Sequence, residues 1–130
     1  DLPENVKAVI ADCGYTSEWD EFQREADALH IPWFPVLNAT SVLSKVRDGY
    51  DFKQASALAQ VKKSRIPTLF IHGSSDELVP YSMLGELYAT AACEKEELTV
   101  EGAGHALSSS VAPTLYWRTV EDFIAKYIDR

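Results

Sequence analysis

Two side chains in this sequence are placed to do proton chemistry. Asp76 stands in "TLFIHGSSDELVP" and His105 in "ELTVEGAGHALS". Each follows an apolar run broken by glycine, the pattern of a strand that ends in a short polar loop. A carboxylate beside an imidazole holds the ring by its N–H and fixes its tautomer. It also stabilises the imidazolium formed when the other ring nitrogen takes a proton. Such a pair is two thirds of the acid–base–nucleophile triad of acyl transfer. The plainer alternatives are a loop histidine satisfied by hydrogen bonds and an aspartate that caps a turn or the following helix. Glu77, beside Asp76, reads as a solvated first-turn charge.

Several other residues compete for roles. Asp12 ends the run "VKAVIADCG" and is an alternative acid; otherwise it caps the turn after it. Cys13 has no strand-to-helix elbow around it and reads as a small buried hydrophobe rather than a nucleophile. His72, just before Gly73, is expected to be a structural hydrogen-bonding residue, and His30 a surface or packing residue. Tyr15, Trp19, Phe22, Trp33 and Phe34 could line a pocket. Trp19 and Phe22 share a helical stripe and are expected to pack instead. Tyr15 and Trp33 are carried forward as candidate substrate contacts.

The elements that must position these groups can be read from periodicity. "VKAVIADCG" (6–14) and "IPTLFIHG" (66–73) are short runs rich in branched residues, as in strands buried on both faces of a parallel sheet. "EELTVEGAG" (96–104) alternates more and is placed nearer an edge. In "YSMLGELYATAA", Leu84, Leu87, Tyr88 and Ala91 make one apolar helical stripe. Tyr116, Val120, Phe123, Ile124 and Tyr127 make another, with Pro113 suited to the first turn. Strand–helix alternation predicts a parallel sheet with right-handed crossovers, an α/β fold. Residues 15–65 contain no strand pattern and are expected to form a helical insertion. A helix is predicted over 16–30, with Trp19, Phe22, Ala26 and Leu29 inward. A proline-broken aromatic loop is predicted at "IPWFPVLNATS", a short helix stopped by Gly49 after it, and a helical turn at "DFKQASALAQ".

Composition bounds the rest. The chain has 130 residues, 46% of them hydrophobic, enough for one domain with a core and too few for two. A net charge of −8 argues against binding to nucleic acid or an anionic membrane. Two cysteines without metal-ligand spacing are expected to be free thiols. Thiol usage fits a cytoplasmic setting. The chain opens at Asp1 without methionine and enters a strand almost at once, as if cut from a longer protein, and a membrane anchor or signal on such a parent is compatible with it.

"HGSSDELVP" and "GAGHA" resemble the acid and histidine motifs of the α/β-hydrolase fold, in which the acid follows strand 7, the histidine follows strand 8, and the nucleophile precedes both. "VKAVIADCGYTS" resembles strand 6, and residues 15–65 the cap inserted after it. The pattern is most similar to bacterial α/β-hydrolases of the serine aminopeptidase and prolyl oligopeptidase-like groups, and spans all 130 residues as the C-terminal part of such a domain. The resemblance implies Asp76 as triad acid and His105 as base, with no metal or organic cofactor. The family's G-x-S-x-G elbow has no counterpart in this sequence. The expectation is therefore a fragment of a serine hydrolase, acting on an ester, amide or thioester in its parent and inactive alone. The alternative is a non-catalytic binding or scaffold module. A sheet that starts with residues 6–12 presents an unpaired strand edge, which invites self-association. Sedimentation at high concentration should show a dimer; a strictly monomeric chain would count against that expectation.

Overall fold

The central strand, β2 (Thr68–Gly73), is buried along its whole length. The computed structural model describes residues 3–128. In it, β2 lies between β1 (Val9–Asp12) and β3 (Lys95–Val100), parallel to both. Val9 is level with Thr68 and Asp12 with Ile71 on one side. On the other, Thr68 is level with Lys95 and Gly73 with Val100. This is the expected α/β architecture of three parallel strands with flanking helices.

Alternation along β2 divides the core into two layers. Leu69 and Ile71 face one side, where they join Val100, Ala103 and the buried stripe Tyr116, Val120 and Phe123 of the C-terminal helix (Pro113–Ile128). Phe70 faces the other side and packs with Leu84, Leu87 and Ala91. β3 is only partly buried, in keeping with its more alternating sequence.

Six α-helices occur among the described residues: α1 (Glu18–Ala28), α2 (Trp33–Asp48), α3 (Ala57–Val61), α4 (Ser82–Thr90), α5 (Ser108–Val111) and α6 (Pro113–Ile128), with a 3-10 turn at Phe52–Gln54. α1, α2, the 3-10 turn and α3 fill the interval between β1 and β2, where no strand was expected. Within it, Ser17 and Ser56 meet in an antiparallel bridge, with α1, α2 and the 3-10 turn between them. Ser17 caps α1 by accepting from the Asp20 N–H, and Ser56 caps α3 by accepting from the Ala59 N–H. Backbone bonds from Glu18 N–H to the Ala55 carbonyl and from Leu58 N–H to the Thr16 carbonyl, 3.1 and 3.2 Å, close the neck.

Two expectations for this interval are corrected. The segment expected to be a proline-broken loop is the first half of α2. Pro32 is the N-cap and Pro35 lies within the first turn, where a missing N–H removes no intrahelical bond. Gly49, at φ 71°, ends α2 in the left-handed conformation, as expected of a C-cap glycine. The inward stripe of α1 is the second correction. Trp19 and Ala26 are half-buried, but Phe22 and Leu29 are exposed, and α1 buries no residue fully. α1 rests on α2 and the 3-10 turn rather than on the sheet core, so its apolar side is only partly covered; Phe22 meets the Phe52 ring at 5.3 Å. The short α5 was not expected.

Where β2 and β3 end, their loops touch. A Cβ on Gly73 would stand 2.2 Å from the Ala103 carbonyl oxygen, so only glycine fits. Gly85, on α4, has open space around its missing Cβ. Gly73→Ala should therefore destabilise the chain by about 1–3 kcal/mol through overpacking. Gly85→Ala should stabilise it by up to about 1 kcal/mol through helix propensity. Urea midpoints of the two variants measure both signs.

Candidate active site

The site sits at the C-terminal ends of the three strands, where the crevices of open α/β sheets bind ligands. β2 delivers Asp76 through Ser74 and Ser75, and β3 delivers His105 through "EGAG". Because the two strands are adjacent and end level, their loops are neighbours. Four contacts tie the loops together. Ser74 N–H donates to the Val100 carbonyl at 3.0 Å, and Ser75 N–H to the Ala103 carbonyl at 3.0 Å. The Ser74 hydroxyl donates to Glu101 and accepts from the Gly102 N–H, at 3.0 and 2.9 Å.

The Asp76 carboxylate is buried, and its two oxygens have different work. Oδ1 accepts from the backbone N–H groups of Leu78 and Val79, at 3.0 and 2.8 Å, which fixes the turn after the strand. Oδ2 lies 2.9 Å from His105 Nδ1 and 3.3 Å from His72 Nε2. Asp76 is thus a turn-capping acid and the partner of His105 at once; the two readings of it are compatible. It caps no helix, since α4 starts at Ser82 with Tyr81 before it. Burial pushes its carboxyl up, but the Val79 N–H, the His105 ring and the Leu78 N–H together outweigh that. They hold it below the ordinary carboxylate value.

An ionised carboxylate only accepts, so His105 Nδ1 carries the proton of this bond, and in the neutral ring the lone pair is on Nε2. The carboxylate side chain is fully shielded, whereas the His105 side chain is 37% exposed. The ring is therefore anchored on its buried side and open on the other. Ala106, next in the chain, has φ 56°, an uncommon value for a residue with a Cβ.

His72 is buried beneath this pair. Its side chain is 1% exposed, and Nε2 lies 2.9 Å from the Val79 carbonyl. Both groups facing Nε2 are acceptors, so Nε2 donates. Nδ1 is buried with no hydrogen-bond partner. His72 thus braces the turn that Asp76 also holds, as expected of a structural residue. Its contact with Asp76 has no sequence signal beyond the four-residue spacing.

The third strand end contributes Cys13 and Asp12. The Cys13 thiol is buried, donates to Asp12 Oδ1 at 3.2 Å and accepts from the Ala106 N–H at 3.3 Å. Burial, with a smaller push from Asp12 and partial relief from Ala106, raises the thiol to about 11, so the sulfur stays protonated and weakly nucleophilic at neutral pH. Asp12 is committed elsewhere: its Oδ2 accepts from the Tyr116 hydroxyl at 2.9 Å, which ties β1 to α6. Among the described residues no hydrogen bond joins Asp12 to His105. Both Cys13 and Cys93 are free thiols.

Tyr15 and Trp33 are not brought to this pair by any hydrogen bond or ring contact among the described residues. Tyr15 lines a shallow hollow of about 320 Å³ with Gly14, Ala55, Ser56, Ala57 and Gln60 at the neck of the insertion. Trp33 opens α2 and stacks edge-on to Phe34. His30 is exposed at the end of α1. A larger cavity, about 550 Å³, lies beside β1, lined by Val9, Ala11, Val61, Arg65 and Phe70 among others. It borders the strands from the side rather than from the loop ends that carry Asp76 and His105.

No family model matches the chain. The Bacillus subtilis uncharacterized protein YqkD is 30% identical over 116 residues, which is 88% of this chain and 38% of its own length. Human alpha/beta hydrolase domain-containing protein 17C is 30% identical over 104 residues, 79% of this chain and 32% of its own. The chain spans about a third of the length of these curated relatives. Among solved structures, an esterase from Pyrococcus furiosus superposes with a TM-score of 0.69 over 96% of this chain and 47% of its own, at 17% identity. An esterase from the planctomycete Thermogutta terrifontis gives 0.60 over 97% and 47%, at 18% identity.

The two oxygens of Asp76 can be separated by mutation. Asp76→Ala strips both N–H groups of the turn of their acceptor and should cost about 2–5 kcal/mol in urea unfolding. Asp76→Asn keeps an acceptor for the turn and should cost clearly less. Equal losses would mean that the charge facing the histidines, not the turn, holds this loop.

Proposed function

The chain has the α/β-hydrolase fold, and on that premise we propose that it carries the acid and base of a serine hydrolase whose nucleophile lies on residues outside these 130. The observation that supports this reading most is the 2.9 Å contact between a buried carboxylate oxygen and the Nδ1 of a partly exposed imidazole, at the ends of adjacent parallel strands.

The proposed chemistry follows from that geometry. Asp76 keeps the Nδ1–H tautomer, which leaves Nε2 to take the proton of a serine hydroxyl as it attacks an acyl carbon. The imidazolium then gives that proton to the leaving alcohol, amine or thiol. The same ring next deprotonates the water that hydrolyses the acyl-enzyme. Buried and ionised, Asp76 stabilises the imidazolium in both halves without accepting its proton. The substrate class is an ester, amide or thioester. No cofactor enters the scheme.

This chain contains no G-x-S-x-G elbow, and Cys13 is a poor substitute because its thiol stays protonated. Taken alone, the 130 residues are proposed to be inactive, since a triad without its nucleophile loses nearly all turnover. The missing elbow is also what favours the second reading, a binding or scaffold module that kept the fold.

A serine-reactive fluorophosphonate separates the two. The expected outcome is labelling of a version extended upstream to the length of the relatives, and none of this chain. In the extended version, His105→Ala should lower kcat by about 10⁴-fold or more. Labelling of neither version would support the scaffold.

A further inference from the structure

Cys13, Asp76 and His105 come from three different loops, after β1, β2 and β3, yet each offers a donor atom within 4.8 Å of the other two. We propose that these three residues bind one transition-metal dication of borderline softness, Zn²⁺ above all, and that a bound ion takes His105 out of use as a base. A thiolate, a carboxylate and an imidazole are the ordinary ligand types of zinc, and three protein ligands with a fourth position open to water form a familiar open site.

The distances fit with little movement. Bonds of about 2.0–2.3 Å in a tetrahedron place donor atoms roughly 3.5 Å apart, against a present spread within 4.8 Å. The outer contacts that hold metal ligands in place already exist. The Ala106 N–H points at the Cys13 sulfur from 3.3 Å, as a donor to a metal-bound thiolate does. Asp76 Oδ1 is held by two backbone N–H groups, so the carboxylate is aimed before any ion arrives. Cys13 and Asp76 are buried while His105 is exposed, which leaves one way in, past the imidazole.

Binding is a ligand exchange. The thiol proton, now donated to Asp12, passes to solvent; the Nδ1 proton of His105, now donated to Asp76, shifts to Nε2, which frees the Nδ1 lone pair; the sulfur and Nδ1 lone pairs and the carboxylate form the bonds to the ion; and waters leave the ion as protein donors replace them. No oxidant or reductant takes part. The sequence shows no metal-ligand spacing because the three residues are brought together only by the sheet. The inference does not depend on the hydrolase reading, and its test measures metal rather than turnover.

The test is titration of this chain with Co²⁺ under reducing conditions. The expected result is near-ultraviolet absorption from thiolate-to-cobalt charge transfer, abolished by added Zn²⁺. It should persist in Cys93→Ser and vanish in Cys13→Ser. His105→Ala changes an exposed side chain, and should weaken Co²⁺ binding at least about tenfold in a chain that stays folded. No charge-transfer band would overturn the site. So would a band that survives in Cys13→Ser, disappears in Cys93→Ser, or is unaffected by His105→Ala.

Discussion

The Asp76 carboxylate is the point on which the site depends. A buried carboxylate costs several kcal/mol unless it is fully partnered. Here it is partnered on every side: two backbone N–H groups on one oxygen, two imidazoles facing the other. Each partner comes at a price in freedom. The turn at 76–79 must keep one shape, His72 must stay buried, and the His105 loop must remain against the acid loop. The organisation of the rim follows from satisfying one charge.

Topology makes that satisfaction local. β2 and β3 are parallel neighbours that end level, so residues far apart in sequence emerge side by side. The contact of Gly73 with Ala103 sets how close the two loops come, and the Ser74 hydroxyl bridges them a second time. β1 brings Cys13 and Asp12 to the same rim, and the latter reaches across to Tyr116 on α6. The exposure of His105 is what remains when one face of the ring is fixed and nothing among the described residues covers the other.

Much of this was legible in the residues. Branched runs marked β1 and β2, but only β2 is buried along its length; β1, expected to be buried on both faces, lies at the edge of the sheet and is half-buried, with Asp12 exposed. The stripes of α4 and α6 were readable because each helix packs on the sheet with one side. Asp76 and His105 stood out by their place after such runs. α2 was misread because Pro32 and Pro35 look like breakers until one sees that both precede the first obligatory hydrogen bond. The α1 stripe was misjudged because periodicity reports an apolar side, not what covers it; Phe22 and Leu29 stay exposed. Nothing in the sequence signalled that His72 shares a carboxylate oxygen with His105, or that Cys13 lies beside both Asp76 and the N–H of Ala106. Those are contacts between loops, fixed by strand order and register.

The bridge between Ser17 and Ser56 has a consequence for the length of the segment it closes. That segment begins and ends at one point, held by backbone bonds and two serine caps. Closing a flexible loop between fixed ends depends only weakly on its length, about 0.6 kcal/mol for each doubling. By that measure, lengthening or shortening the segment between Ser17 and Ser56 costs little closure entropy so long as the backbone bonds at its neck are kept.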